Sequence, residues 1–387
     1  MARNRVIYQS EALYVGPTTI AQQHTTSNVL QLQRVQSANY SFNLERQDVN
    51  QFGELASIDR VILSAPTVSL DFSYLVANLH NESGLGFTTL DAGNADYISC
   101  ISGILNKSSD EKNYFIKTVK EGADALSISA DSRLDTFSEG VGGHLTQSTI
   151  GVGNGFITSY TAEGSVGNFP TATVNVEALN MVINSGASGF NVPSVNPADG
   201  TAITAYQVIL PTQVSTPAGD TTSVLRPGQV TVGIVDNGQA FAGTAFDEMG
   251  VLVSDAKIQS YNISFDLGRT PLEKLGSKFA FAKEIDFPVT VSFTCDGILA
   301  DLSEGHTTGL HEVVSNDAST YNLSMTLNAP YAGRSGIQYT LRGAKLDSQS
   351  FSSSIGDNKT LSLNFSAQLG GPQDITNGLF VSAFPYA

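Results

Sequence analysis

Two histidines five residues apart, His306 and His311 in "GHTTGLH", come nearest to a metal pair in this chain of 387 residues. Imidazole ligands act in sets with further nitrogen, sulfur or carboxylate donors. No convincing third ligand stands near them, so the stretch reads as a loop, and His24, His80 and His144 are scattered singly. Asp236-Asn237-Gly238 opens like a calcium loop but lacks the glutamate that closes one, and so reads as a turn. "GVGNG" (151–155) is Gly-rich without the third glycine or the strand–helix setting of a dinucleotide site. Neither a phosphate-cradling loop nor a G-x-S-x-G nucleophile turn occurs. Asp110-Glu111 reads as a pair of solvated loop charges. Cys100 and Cys295 lie in apolar surroundings ("YISCISGIL", "VSFTCDGIL") and read as buried free thiols, which suits maturation in a reducing cytoplasm. The sequons at Asn39 and Asn262 fall inside strand patterns, so glycosylation is not expected. The residues assign no catalytic, cofactor-binding or metal-ligating position, and no enzyme is expected.

Composition points to the elements instead. Gly, Ser, Thr, Asn and Val are abundant, Trp is absent, and long helical periodicities are missing, which is the palette of a β-rich chain with many turns. No apolar run approaches 18 residues, so no membrane span is expected. The stretch "MARNRVIYQSEALYVGP" lacks the apolar core of a secretory signal. Net charge is −16, with 10 basic and 18 acidic residues over 1–182 and 10 and 16 over 224–387. No basic stripe that would grip phosphates is present. Such acidity favours solubility, and it also suits a surface that must repel a polyanion.

The organising feature is a repeat. "VQSANYSFNLER" (35–46) and "IQSYNISFDLGR" (258–269) share seven of twelve residues without a gap at an offset of 223. The match continues through Gly53/Gly276, Val68/Val291, Ser69/Ser292 and Ala77/Ala300. A second block, 157–179 over 346–368, repeats at an offset of 189 and pairs Gly167/Gly356, Asn175/Asn364 and Ala178/Ala367. Tyr40, Phe42 and Leu44 alternate with polar residues, as do Ile263, Phe265 and Leu267, so each block predicts strands with one wet and one buried face. "VGNF" and "IGDN" predict hairpin turns. A short helix is expected between the first two strands of each copy, capped by Asp48 or Thr270, started by Pro271 in copy two and ended by Gly53 or Gly276. The fall in offset places 34 extra residues of copy one between 78 and 156, where "SSDEKNYFIKTVKEGADAL" reads as a long excursion. The expected organisation is a first domain over 1–184, a Pro/Gly/Ala/Thr-rich linker over 185–224 with one short strand at "YQVIL", and a second domain over 225–387.

Taken with these repeats, "LQRVQSANYSFNLERQDVNQFGELASIDRVILSAPTVSLDFSY" resembles the N-terminal half of bacteriophage major tail tube proteins. "GNGFITSYTAEGSVGNFPTATVNVEALN" and "YTLRGAKLDSQSFSSSIGDNKTLSLNFSAQLGG" resemble their closing hairpins. The resemblance covers about two thirds of the chain and leaves out the linker and 78–150. It implies a mainly β fold, with two tail-tube-type β-sandwich domains, each with a short helix, giving strands to a ring-shaped inner β-barrel. It further implies the subgroup in which two fused domains let three chains build a pseudo-sixfold ring. Such rings stack into a tail tube that conducts the genome during infection. The implied partners are further copies of the chain, together with tape measure, tail terminator and baseplate or tip proteins, while DNA passes without sticking. The implied location is the virion tail, assembled in the host cytoplasm. A capsid or decoration protein, and a surface adhesin-like β-protein, are the competing readings; an adhesin would carry an export signal.

Overall fold

Alternation of apolar and polar residues sets the architecture. In the computed structural model the residues described are 11–18, 29–62, 65–87, 104, 110–119, 125, 147–185, 190–202, 207, 208, 210, 224, 225, 230–236, 256–299, 320–327, 335–354, 358–371 and 377–385. In chain order the first part contains β1 (Glu11–Pro17), β2 (Leu30–Gln31), β3 (Val35–Asn43), β4 (Arg46–Val49), β5 (Asp59–Ile62), β6 (Thr67–Leu75) and α1 (His80–Leu85). It continues with β7 (Glu111–Val119), β8 (Gln147–Ser165), β9 (Thr171–Ala178) and β10 (Asn180–Ser185). Two short strands follow, β11 (Phe190–Asn191) and β12 (Gln207–Val208). The second part contains β13 (Val230–Asp236), β14 (Ala256–Asp266), β15 (Arg269–Leu272), β16 (Ala282–Ile285) and β17 (Thr290–Leu299). It ends with β18 (Tyr321–Leu327), β19 (Ser335–Ser352), β20 (Thr360–Gln368) and β21 (Gly378–Pro385). The fold is mainly β, as the composition predicts.

Strands β3, β6, β9 and the second half of β8 form an antiparallel unit, and β14, β17, β20 and the second half of β19 form another in the same order. Their registers correspond residue for residue. Phe42 faces Val68 as Phe265 faces Val291, and Ser159 faces Asn175 as Ser348 faces Asn364. Even the bulges correspond, at Val35/Ser37 and Ile258/Ser260 and at Ile157/Ser159 and Leu346/Ser348. Beyond the bulges the first halves of β8 and β19 carry β7 and β10 in one case, β18 and β21 in the other, with β1 on β7 as β13 is on β18. The two units join where β14 pairs β8, giving eight consecutive strands in the order β3-β6-β9-β8-β14-β17-β20-β19.

One face of those eight strands is apolar. Leu70, Phe72, Val174, Tyr160, Ile263, Phe293 and Leu363 are all buried, in one core cluster that also takes Leu13, Tyr114 and Val152 from the first part and Met325, Tyr339 and Val381 from the second. Cys295 is buried there as a free thiol, pushed up to about 12 by burial and then by Asp296. Cys100 lies outside the described residues.

Three expectations need correction. The segments expected as short helices are two-stranded hairpins, β4–β5 and β15–β16. Gly53 and Gly276, which would stop a helix, instead take φ of 98° and 85° at the hairpin tips. Pro271 sits in a two-stranded ribbon, where a missing N–H is tolerated. Among the described residues a six-residue helix, α1, forms instead after β6 and is closed by Gly86 in the left-handed conformation. The supposed excursion contains β7, which lies between β1 and β8 with Tyr114, Phe115 and Ile116 buried. Since Tyr114 matches Leu323 at an offset of 209, the 34 extra residues divide into 14 before β7 (223 to 209) and 20 after it (209 to 189). Third, the described part of the linker packs on the chain. Its Val192, Val208 and Leu210 are buried with Tyr14 and Phe115, and Val195 is buried as well. The strand expected at "YQVIL" is β12, paired with β11.

Candidate functional site

The second face of the eight strands is mostly polar, with Leu75 and Ile298 among its apolar positions. Along β3 it presents Ser37, Asn39, Ser41 and Asn43, and along β6 Thr67, Ser69, Asp71 and Ser73. The alternation continues through Glu177, Asn175 and Thr173 of β9 and Ser159, Thr161 and Glu163 of β8. It carries on through Ser260, Asn262, Ser264 and Asp266 of β14, Ser292, Thr294 and Asp296 of β17, and the Ser/Asn/Thr positions of β20 and β19. Five of these residues are acidic (Asp71, Glu163, Glu177, Asp266 and Asp296); the pairing also places Lys345 opposite Ser366 and Lys257 opposite Ile298 on this face. Side chains tie neighbouring strands. Ser37 and Ser41 bond Ser73 and Ser69 at 2.7 Å, the Asn39 amide donates to Asp71 at 2.8 Å, and Ser260 donates to Asp296 at 2.7 Å. The Asn175 amide reaches Ser159 at 2.7 Å and the Asn364 amide reaches Ser348 at 2.8 Å. Such a face is polar and carries more acids than cations.

The junction between the two units is heavily built. Ser260 to Asp266 run against Ser165 to Ser159, and Leu267 N–H reaches the Thr158 carbonyl at 2.6 Å. On the apolar side Tyr160 stacks on Phe265 at 5.6 Å, and Phe87, just beyond α1, meets both rings edge-on. Gly164 lets the Tyr261 ring lie across the strand, since a Cβ there would come within 2.7 Å of it. Hairpin β15–β16 then locks the seam. Arg269, its side chain 1% exposed, donates to both oxygens of Asp110 at 2.9 and 2.6 Å and to the Ile157 carbonyl at 3.0 Å. Lys283 reaches Glu177 at 2.5 Å, and both cations lie over the Phe156 ring. Asp110, expected as a solvated loop charge, is thus part of a structural clamp. Asn154 of β8 bonds Glu111 and takes the Val195 N–H, holding the linker against β8.

Below the junction lies a buried polar cluster that sequence reading missed. Glu82 of α1 accepts from Tyr74 at 2.8 Å and Tyr160 at 3.2 Å, and Tyr160 and Tyr339 share a 2.7 Å hydroxyl contact. Burial pushes the Glu82 carboxyl up to about 7, against the opposing pull of these hydrogen bonds and of Arg34. Nothing local in "HNESGL" marks Glu82 as a core residue; only the αL stop at Gly86 and the return of Phe87 to the core fix which face of α1 is covered.

The eight-stranded run has two open ends. Among the described residues, β3 pairs only β6, and the second half of β19 pairs only β20. Phe42 is 59% exposed there, although its counterpart Phe265 is 2% exposed; Phe351 at the other end is 45% exposed, where its counterpart Ala162 is buried. Of the histidines, His80 is described; its Nε2 lies 3.1 Å from the Gln31 carbonyl. His306 and His311 lie outside the described residues, and no cluster of metal-ligating side chains occurs among those described.

No family model matches the chain. No curated protein matches it. Among solved structures, the chain is similar to one from the structure described as "Tail of empty GTA particle computed with helical refinement, C6 symmetry", at 13% identity and a TM-score of 0.22, over 30% of this chain and 80% of that one.

Proposed function

We propose that this chain is a structural subunit of a phage-type tail tube, three copies closing a ring and rings stacking into a channel for DNA. The observation that carries the reading is the eight-stranded run itself: two equivalent four-strand units, already joined once within the chain, with a polar face and two free edges. A free edge is a template for pairing, which monomeric proteins normally blunt. Three chains would supply 24 strands. At ~4.8 Å spacing and ~40° tilt these give a circumference of about 150 Å and a backbone diameter of ~48 Å. Inward side chains would leave ~35–40 Å, ample for duplex DNA of about 20 Å judged from its groove depths. Six chains would give a backbone diameter near ~95 Å without need. The polar face would line that channel, and Asp71, Glu163, Asp266 and Asp296 would outnumber Lys257 and Lys345 there and keep phosphates from sticking. Hexad pseudo-symmetry would then follow from the repeat, and the absence of an assigned catalytic constellation would need no further reason. Negative-stain microscopy of the purified chain, with the mass of isolated rings, tests the reading. Rings or tubes at about three times 40.9 kDa per ring support it. Monodisperse globules, or six-chain rings, count against it.

A further inference from the structure

We propose that β3 of one chain pairs antiparallel with the second half of β19 of a second copy, in the register that β14 and β8 use within the chain. The second copy as occupant follows from the tube reading, but the register follows from the internal junction. There Ser264 faces Thr161, Ile263 faces Ala162 and Phe265 faces Tyr160. The counterparts of the first strand lie 223 residues earlier, and those of the second 189 residues later. Between chains, Ser41 therefore faces Ser350, Tyr40 faces Phe351 and Phe42 faces Gln349.

The side chains suit this register. On the polar face, Ser37, Ser41 and their neighbouring asparagines meet serines 348, 350, 352 and 354, continuing the hydroxyl and amide ladder across the seam. On the apolar face, Tyr40 and Phe351 would form a cross-strand aromatic pair, and Phe42 would be covered by the Gln349 side chain where Phe265 has Tyr160. At the third pair, Tyr261 over Gly164 inside the chain becomes Ala38 over Ser353 between chains, two small residues that meet without a clash. A slip by one residue would put Phe42 and Phe351 on the wet face.

The seam between chains lacks the internal clamp. Hairpin β4–β5 carries Arg46 and Arg60 where β15–β16 carries Arg269 and Lys283. The carboxylate Glu177, which holds Lys283, is replaced by Ser366, and Phe156 by Lys345. In the single chain Arg60 turns to Asp48 of its own hairpin at 2.6 Å, both well exposed. The chain–chain junction is thus the weaker of two junctions built on one plan.

Paired cysteines read the register. With a short bifunctional thiol reagent, Ser41→Cys/Ser350→Cys should link most chains into covalent oligomers. Within one chain these positions stand seven strands apart, on the order of 34 Å, so a link joins two copies. Thr161→Cys/Ser264→Cys should link within a monomer and report that the fold is intact. Ser41→Cys/Ser354→Cys, about 13 Å out of register along the strand, should link at least tenfold less. If the internal pair links while the 41/350 pair does not, or the off-register pair links as well, the proposal is overturned. Linking at 41/350 with no rings or tubes in the microscope would keep this junction and refute the tube reading. Ser366→Glu should lower the concentration for half-assembly about 2–5-fold, the worth of an exposed ion pair, and lose that gain beside Arg60→Ala. An equal gain in both backgrounds would overturn the placement of the hairpin.

Discussion

Glu82 brings a carboxyl into the core where Tyr74 and Tyr160 satisfy one oxygen and Oε2 has no hydrogen-bond partner. Its carboxyl is raised from 4.5 to about 7, so the folded state binds a proton that the unfolded chain releases above pH 4.5. The stabilising contribution of the neutral form is therefore complete below that value and is lost as pH rises through about 7. Glu82→Gln, neutral at every pH, should match the parent melting temperature near pH 4 and exceed it by a few degrees at pH 8; a parallel pH dependence would show that Glu82 does not titrate in the core. The two hairpin clamps make a second residue-scale contrast. Removing Asp110 leaves the Arg269 guanidinium buried without its carboxylate, and Asp110→Ala should cost about 3 kcal/mol in denaturant unfolding. Asp48→Ala, which frees the exposed Arg60, should cost less than ~0.5 kcal/mol. Equal effects would mean that the Arg269 clamp contributes nothing special to the junction.

At the scale of elements, the strands of the long sheet are legible in the sequence because each has one wet and one dry side, and period-two alternation survives in both copies. Tyr40, Phe42 and Ile263, Phe265 show the same parity in sequence and in the sheet. The hairpins β4–β5 and β15–β16 are not legible in this way. Hairpin β4–β5 is exposed on both sides, and what β15–β16 buries is the charged pair Arg269 and Lys283, so no apolar alternation marks either, and Pro271 with Gly53 or Gly276 fits a helix start and stop as readily as a ribbon and its tip. Strand β7 fails for the opposite reason. It is covered on both faces, with Phe115 in the cluster that holds the linker and Ile116 in the main core, and the charges of Glu111, Lys112 and Lys117 disguise an apolar run. The junction register is not legible in one sequence, because strand pairing is a non-local choice, and the acids that share the polar face are not legible either. These assignments predict opposite outcomes for two similar-looking changes. Shortening the chain across 107–124 removes β7 and should abolish folding, and Ile116→Ala alone should cost about 3 kcal/mol. Phe52→Ser with Leu55→Ser, at a fully exposed hairpin tip, should leave chemical denaturation within ~0.5 kcal/mol of the parent. Circular dichroism during urea titration separates the two.

At the scale of the whole molecule, two four-strand units share one core and present one mostly polar face, bounded among the described residues by two unpaired strand edges. Burying Phe42 at an edge would gain about 1.5–3 kcal/mol, and the Tyr40–Phe351 pair up to ~1 kcal/mol more. Those terms explain how a chain of net charge −16 could remain dispersed at low concentration yet associate when edges meet in register. The wet side then decides what the assembly tolerates inside. Hydroxyls and amides hydrogen-bond water as well as phosphate, and Asp71, Glu163, Asp266 and Asp296 add repulsion that outweighs Lys257 and Lys345 on the same face. On the tube reading, assembled parent protein should not retain a short DNA duplex in co-sedimentation at any salt concentration. The triple variant Asp71→Lys, Glu163→Lys, Asp296→Lys puts cations from both units on the same wall. Its assemblies should retain the duplex at low salt and release it as salt rises, log affinity falling by about 0.9 per contacted phosphate for each decade of salt. Each substituted residue lies on the exposed side of a paired strand, so the fold should persist, which melting of the unassembled variant checks. Retention no greater than the parent's, in assemblies of the same shape, would mean that this face does not line the channel.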